Sequence, residues 1–168
     1  TNECIVDPLT NRLYLNETFG RRLSFFDIEE NGSLSNKQTV CEFEFGEFPD
    51  GLTFDVEGGI WITSIVSNRV IRITPEGKKQ TILEDHSLSH LDWVEQAYLN
   101  SRLERKHLDT AGGKILKNIS SLAFGGKDMK TAFLGCLQGN SIATFRSEIA
   151  GAKPAHWKPK ALKELYSK

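Results

Sequence analysis

The chain has 168 residues, 39% of them hydrophobic and 26% charged, with 21 Lys plus Arg against 22 Asp plus Glu and a formal net charge of -1. A chain of this size buries one core, and its composition fits neither a disordered nor a bilayer-spanning polypeptide, so one soluble domain is expected. The even charge argues against nucleic acid or an anionic membrane as a partner, since either would favour an excess of Lys and Arg, and no apolar stretch approaches the roughly 18 residues a bilayer demands.

In chain order, short β-rich runs alternate with Gly, Pro, Asn and Asp. Strands are expected at Arg12–Asn16, Arg22–Ile28 and Gln38–Phe43, with the first three-strand group turning at Asn31-Gly32. A second group follows at Leu52–Phe54, Gly59–Ile65, Arg69–Thr74 and Gln80–Leu83, turning at Gly58-Gly59 and Gly77. A helix is expected at Ser89–Lys106: Ser89 to Asp92 reads as a capping box, Leu91, Val94, Tyr98 and Leu99 lie near one face, and Gly112-Gly113 supply a stop. Strands resume at Leu122–Phe124, Thr131–Cys136 and Ser141–Arg146, and the Lys- and Pro-bearing tail reads as a solvated extension with one helical turn at Ala161–Tyr166.

The pattern repeats. Asn2–Asp7, Arg12–Asn16 and Arg22–Asp27 match Asp50–Asp55, Gly59–Thr63 and Arg69–Thr74, and a third copy runs through Ser120–Gly125, Thr131–Gly135 and Ser141–Arg146. From residue 2 to residue 50 is 48 residues, close to the roughly 40–50 that one four-stranded propeller blade uses. The expected fold is therefore all-β, a β-propeller present as three four-stranded blades at 1–46, 47–84 and 118–150, with a helical insertion at 85–117 and an extension at 151–168. Three blades do not close a ring, so a further N-terminal half or a second copy is expected to complete it; Met129 is the only methionine and Thr1 is no initiator, which favours the former.

In a propeller the first residues of each innermost strand point towards one channel mouth. The repeats bring Asn2, Asp50 and Ser120 to equivalent positions there, and a carboxylate beside a carboxamide suits a hard divalent cation. Asn2-Glu-Cys with Leu13–Leu23, then Phe48-Pro-Asp-Gly-Leu-Thr-Phe-Asp-Val-Glu-Gly-Gly-Ile-Trp, then Asn118–Gly126 together resemble the gluconolactonase/regucalcin (senescence marker protein) family of six-bladed propellers, over nearly the whole chain. The resemblance implies a metal-dependent sugar-lactone or ester hydrolase in which Asn2 and Asp50 are metal ligands and Asp50 is also the general base. The family's further ligand, a Glu from an earlier blade, has no counterpart, so catalysis by this chain alone is expected to be impaired. The implied metal is calcium first, with magnesium, manganese or zinc as alternatives. Glu17, at a strand end, and Asn118 and Ser120, on the third blade, are the expected substrate contacts. The partner expected is a small-molecule lactone or ester.

Competing motifs weigh less. Cys4, Cys41 and Cys136 are odd in number and far apart, which suggests free thiols. His86 and His90 lack the Glu of a metalloprotease helix, and Ser120-Ser121 lack a nucleophile elbow. Trp61 reads as a core residue between blades. The alternative function is a non-catalytic propeller that binds a partner through its mouth or insertion. The compartment is not encoded in any motif, with the cytoplasm slightly favoured.

Overall fold

Side chains alternate in burial along Arg12–Glu17, with Tyr14 and Asn16 inside and their neighbours partly covered, as a strand with one face on a core requires. The computed structural model describes residues 2–7, 9–154 and 157; the helical turn expected at 161–166 lies outside them. Strands β1 (Cys4–Val6), β2 (Arg12–Glu17), β3 (Arg22–Ile28) and β4 (Leu34–Glu42) form an antiparallel sheet in sequential order. A second sheet has the same order: β5 (Pro49–Phe54), β6 (Ile60–Ser64), β7 (Arg69–Ile73) and β8 (Lys79–Leu83). After the helices α1 (Leu88–Leu99) and α2 (Arg105–Asp109), strands β9 (Ile119–Gly125), β10 (Thr131–Cys136) and β11 (Ala143–Arg146) make a third.

These sheets are the expected blades, with two corrections. The third has three strands among the described residues rather than four, because the chain after β11 leaves its own sheet. Val56 N–H donates to Ala150 O and Ala152 N–H to Phe54 O, so this segment runs along the end of β5 instead of pairing with β11. The single expected helix is two. Asn100 caps α1, and Ser101 takes a left-handed φ of 54°, which ends the first helix before α2 begins. The first helix is capped at Ser87 rather than Ser89, with Ser87 O accepting from the N–H groups of His90 and Leu91.

The middle blade is buried on both faces, which is why β6 carries no exposed residue. Against the first blade it packs Leu52, Phe54, Ile62, Ile71 and Ile73 onto Tyr14, Leu23 and Phe25. Against the third it packs Trp61 and Val70 onto Leu122, Phe124, Ala132 and Leu134. An edge-to-face pair marks each interface: Tyr14–Phe54 at 5.3 Å and Trp61–Phe124 at 5.1 Å between centroids. Trp61 is thus the core residue between blades that its alternation suggested. The three cysteines are free.

Two buried ionic contacts complete the packing. At the end of β5, fully buried Asp55 accepts from Trp61 Nε1 at 2.8 Å, Arg72 Nε at 2.7 Å and Gly59 N at 2.8 Å. Burial would raise its pKa, but these donors together hold it below the ordinary carboxylate range. Above the channel end, Arg21 meets Glu95 of α1 through both guanidinium Nη atoms and lies 4.2 Å over the Phe48 ring and 4.0 Å over Tyr98, docking the insertion on the first two blades. Replacing Asp55 by Ala removes the buried partner of Arg72 and leaves its charge only the longer contacts to exposed Glu57 and to Gln80, each at 3.3 Å. Urea unfolding is expected to show a loss of about 3–5 kcal/mol.

Candidate active site

The inner strands β1, β5 and β9 of the three blades begin at one end of the molecule, and the site follows from an irregularity in β5. Pro49 pairs with Ser64 but Leu52 pairs with Ile62, so one extra residue is accommodated at Asp50–Gly51 opposite Thr63. The backbone groups left unpaired at this bulge and along the free edge of β5 are taken by side chains. Asn16 Nδ2 donates to Asp50 O at 2.8 Å and Gly51 O at 3.2 Å, and Thr18 Oγ1 donates to Pro49 O at 2.8 Å. Gly51 N–H donates to Thr63 Oγ1 at 2.8 Å, and Leu52 N–H to Glu3 Oε2 at 2.6 Å. Gly51 leaves no room for a side chain: a Cβ there would sit 2.7 Å from Ser121 Cα of the next inner strand.

The bulge turns Asp50 into a cavity of about 630 Å³ whose polar walls are Asn2, Glu3, Thr18, Ser120 and Ser121. Its apolar walls are Phe19, Ile65, Leu108 and Leu137, and Arg105 enters from α2. Asn2 Nδ2 donates to Asp50 Oδ1. Burial, and secondarily the charge of Glu3, push the Asp50 carboxyl up to about 6. Burial also raises Glu3, against the lowering effect of the Leu52 N–H.

Of the residues singled out from sequence, Asn2, Asp50 and Ser120 meet in this cavity. Glu17 and Asn118 do not line it. Strand alternation turns Glu17 away from its neighbours Asn16 and Thr18, and its carboxylate is held by Arg22 at 2.7 Å, Lys37 at 2.8 Å and Ser24 Oγ at 2.7 Å. Those partners hold its pKa well below the usual range, Arg22 first. Asn118 is fully buried and gives its Nδ2 to Leu108 O and Thr110 O, so it fastens the insertion instead of facing the channel. Sequence reading missed Glu3 as a site residue, although it adjoins Asn2, and Thr18, which shares the inward parity of Asn16. Arg105 and Leu108 reach the mouth only through the path of the insertion.

His90 does not form a zinc pair with His86; its ring lies against Trp93 at 5.6 Å. Among the described residues no three His, Cys, Asp or Glu side chains are grouped to hold a metal ion. The cavity instead combines two carboxylates with one carboxamide.

A family model described as the SMP-30/Gluconolactonase/LRE-like region matches residues 1–84, half of the chain. The chain belongs to this family. Regucalcin of Danio rerio is 41% identical over 56 residues, 33% of this chain and 19% of that protein. A Bacillus subtilis (strain 168) protein, YvrE, provisionally named a sugar lactone lactonase, is 28% identical over 130 residues, 76% of this chain and 35% of that one. Among solved structures, a luciferin-regenerating enzyme superposes with a TM-score of 0.61 at 18% identity, over 92% of this chain and 47% of its own. A calcium-binding protein, regucalcin, from Agrobacterium tumefaciens gives 0.61 at 15%, over 91% and 48%. The chain thus spans less than half the length of these relatives, and the structural matches establish the propeller-type fold.

Without metal, the folded Asp50 carboxyl keeps its proton up to about pH 6 whereas an unfolded one loses it near pH 4. The folded state binds the extra proton between these values, so stability falls as pH rises through that window. Asp50→Asn removes the loss. In metal-free buffer the variant is expected to be more stable at pH 7 by on the order of 1–2 kcal/mol after solvent screening, and to flatten the slope between pH 4 and 6 in urea titrations.

Proposed function

We propose that the channel mouth hydrolyses a sugar lactone or related ester with the help of one divalent metal ion. The observation that carries this reading is Asp50, a buried carboxylate fixed on a strand bulge, aimed into a cavity of substrate size and lifted in pKa to about 6. Such a group is largely ionised at neutral pH yet is a stronger base than an ordinary carboxylate. Asp50 would take a proton from the water that attacks the lactone carbonyl and return it to the ring oxygen as the C–O bond breaks. The net change is addition of one water, and the product is an open hydroxy acid. Without metal, Asn2 Nδ2 holds Oδ1 of Asp50. Ser120 and Ser121 offer hydroxyl partners for the sugar, while Ile65, Leu108 and Phe19 supply an apolar wall.

The donors fit a hard cation in kind. Asp50, Asn2 Oδ1 after a half-turn of the carboxamide, and Glu3 Oε1, which has no hydrogen-bond partner among the described residues, are all oxygen. That set favours calcium ahead of magnesium, manganese or zinc. When bound, such an ion polarises a carbonyl oxygen and acidifies water. Three side chains supply part of the roughly six to eight oxygens calcium takes, and water would supply others.

The test is lactone hydrolysis by the protein with Asp50 replaced by Asn or Ala. Turnover is expected to drop by about two orders of magnitude or more, with weaker calcium binding by calorimetry. The wild-type rate should fall as pH drops through the Asp50 ionisation, at or below about pH 6, since a bound cation lowers that value further. Undiminished turnover in both variants would remove Asp50 from the chemistry, and a folded wild-type protein that binds calcium but turns over no lactone would replace this reading with that of a non-catalytic binding module.

A further inference from the structure

The mouth carries two acidic side chains, Asp50 and Glu3, and a basic one. Arg105 is the one Lys or Arg among the described residues that line it. Only Nε of its guanidinium is engaged, with both carboxylate oxygens of Asp109 at 2.8 Å. Nη1 and Nη2 have no hydrogen-bond partner among the described residues. The side chain is 80% exposed, so its charge stays hydrated and within reach of a solute in the cavity.

The short turn that presents Arg105 is held from several directions. Asn118, buried at the start of β9 with a left-handed φ of 58°, donates through Nδ2 to Leu108 O and, at 3.2 Å, to Thr110 O. Buried His107 accepts Glu104 N–H at 2.9 Å on Nδ1 and lies 4.4 Å from the Trp93 ring. Asn118 thereby ties the turn to the same inner strand whose Ser120 lines the cavity. A surface arginine on a loose loop has no defined place, whereas this one has a fixed base beside the site.

We propose that Arg105 determines specificity by binding an anionic substituent of the substrate, a carboxylate or a phosphate, while its reacting bond lies towards Asp50, and that Asn118 is a positioning residue for this contact. The proposal rests on the mouth being the substrate site. The two free Nη groups form a planar fork that matches two oxygens of either anion, which a neutral polyhydroxy lactone does not offer. The substrate class is then a lactone or ester of a sugar acid that carries a second acidic group. Asp109 competes for the same guanidinium and keeps the subsite from holding anions indiscriminately.

The experiment is calorimetric titration of the purified protein, at fixed free calcium, with three unreactive ligands: an open-chain sugar dicarboxylate, a sugar phosphate and a neutral polyol of equal length. At least one acid is expected to bind roughly tenfold more tightly than the polyol, and the tighter acid identifies the natural group. Arg105→Ala should abolish the difference, Arg105→Lys should retain part of it, and Asp109→Asn should widen it. Asn118→Ala, checked for folding by circular dichroism, should narrow it although the arginine remains. Equal binding of acids and polyol, or a preference that survives Arg105→Ala, overturns the proposal whether or not the protein hydrolyses lactones. An Arg105-dependent preference in a protein without turnover upholds the anion subsite and instead rejects the hydrolase reading.

Discussion

The structure turns on one extra residue in an inner strand. At Asp50–Gly51 the ladder to β6 is interrupted, and an interruption inside a protein must be paid for in hydrogen bonds. Thr63 satisfies part of it within the second blade, and Asn16, Thr18 and Glu3 of the first blade supply the rest and so join the two blades at this end. The device that aims a carboxylate into the mouth is therefore also a blade interface. Loosening either would loosen the other, and Gly51, pressed against Ser121 of the third blade, has no space for even a methyl group.

The two ends of β5 show how environment, not residue type, sets the behaviour of an aspartate. Asp55 is met by Arg72, Trp61 and backbone N–H groups, stays ionised and acts as a joint. Asp50 is also buried, but among the described residues it has a single carboxamide for a side-chain partner and an acidic neighbour, and its pKa rises. The first arrangement stabilises the fold; the second stores an unfavourable interaction at the mouth. Sites that carry chemistry are commonly destabilised in this way, with the cost offset by packing elsewhere, here the aromatic and aliphatic interfaces of a middle blade covered on both faces.

The insertion between the second and third blades adds what the repeats do not contain. The Arg21–Glu95 pair and its two aromatic rings fix α1 on the blades, and Asn118 fixes the following turn. The scaffold belongs to a family, but this segment supplies the mouth with a cation and an apolar wall, and such grafted elements adapt one fold to different ligands.

Period-two alternation, turn residues and a 48-residue repeat made the blades legible, because a strand's burial pattern and its turns are local properties. The same repeat put Asn2, Asp50 and Ser120 at one end of one axis, since equivalent positions in stacked blades coincide in space. Sequence did not reveal that Glu17 would be captured by Arg22 and Lys37, or that Asn118 would turn its carboxamide to the insertion, because the pairing of the strands and the path of the insertion decide which neighbour each side chain meets. The split of one expected helix into two is set locally, at left-handed Ser101, whose N–H donates to Tyr98 O. The last blade has three strands among the described residues because the segment at Ala150–Ala152 pairs with Phe54 and Val56, distant in sequence. Local patterning determined the strands and the axis; only tertiary packing decided which polar groups were used up in holding the blades together and which remained to face the channel.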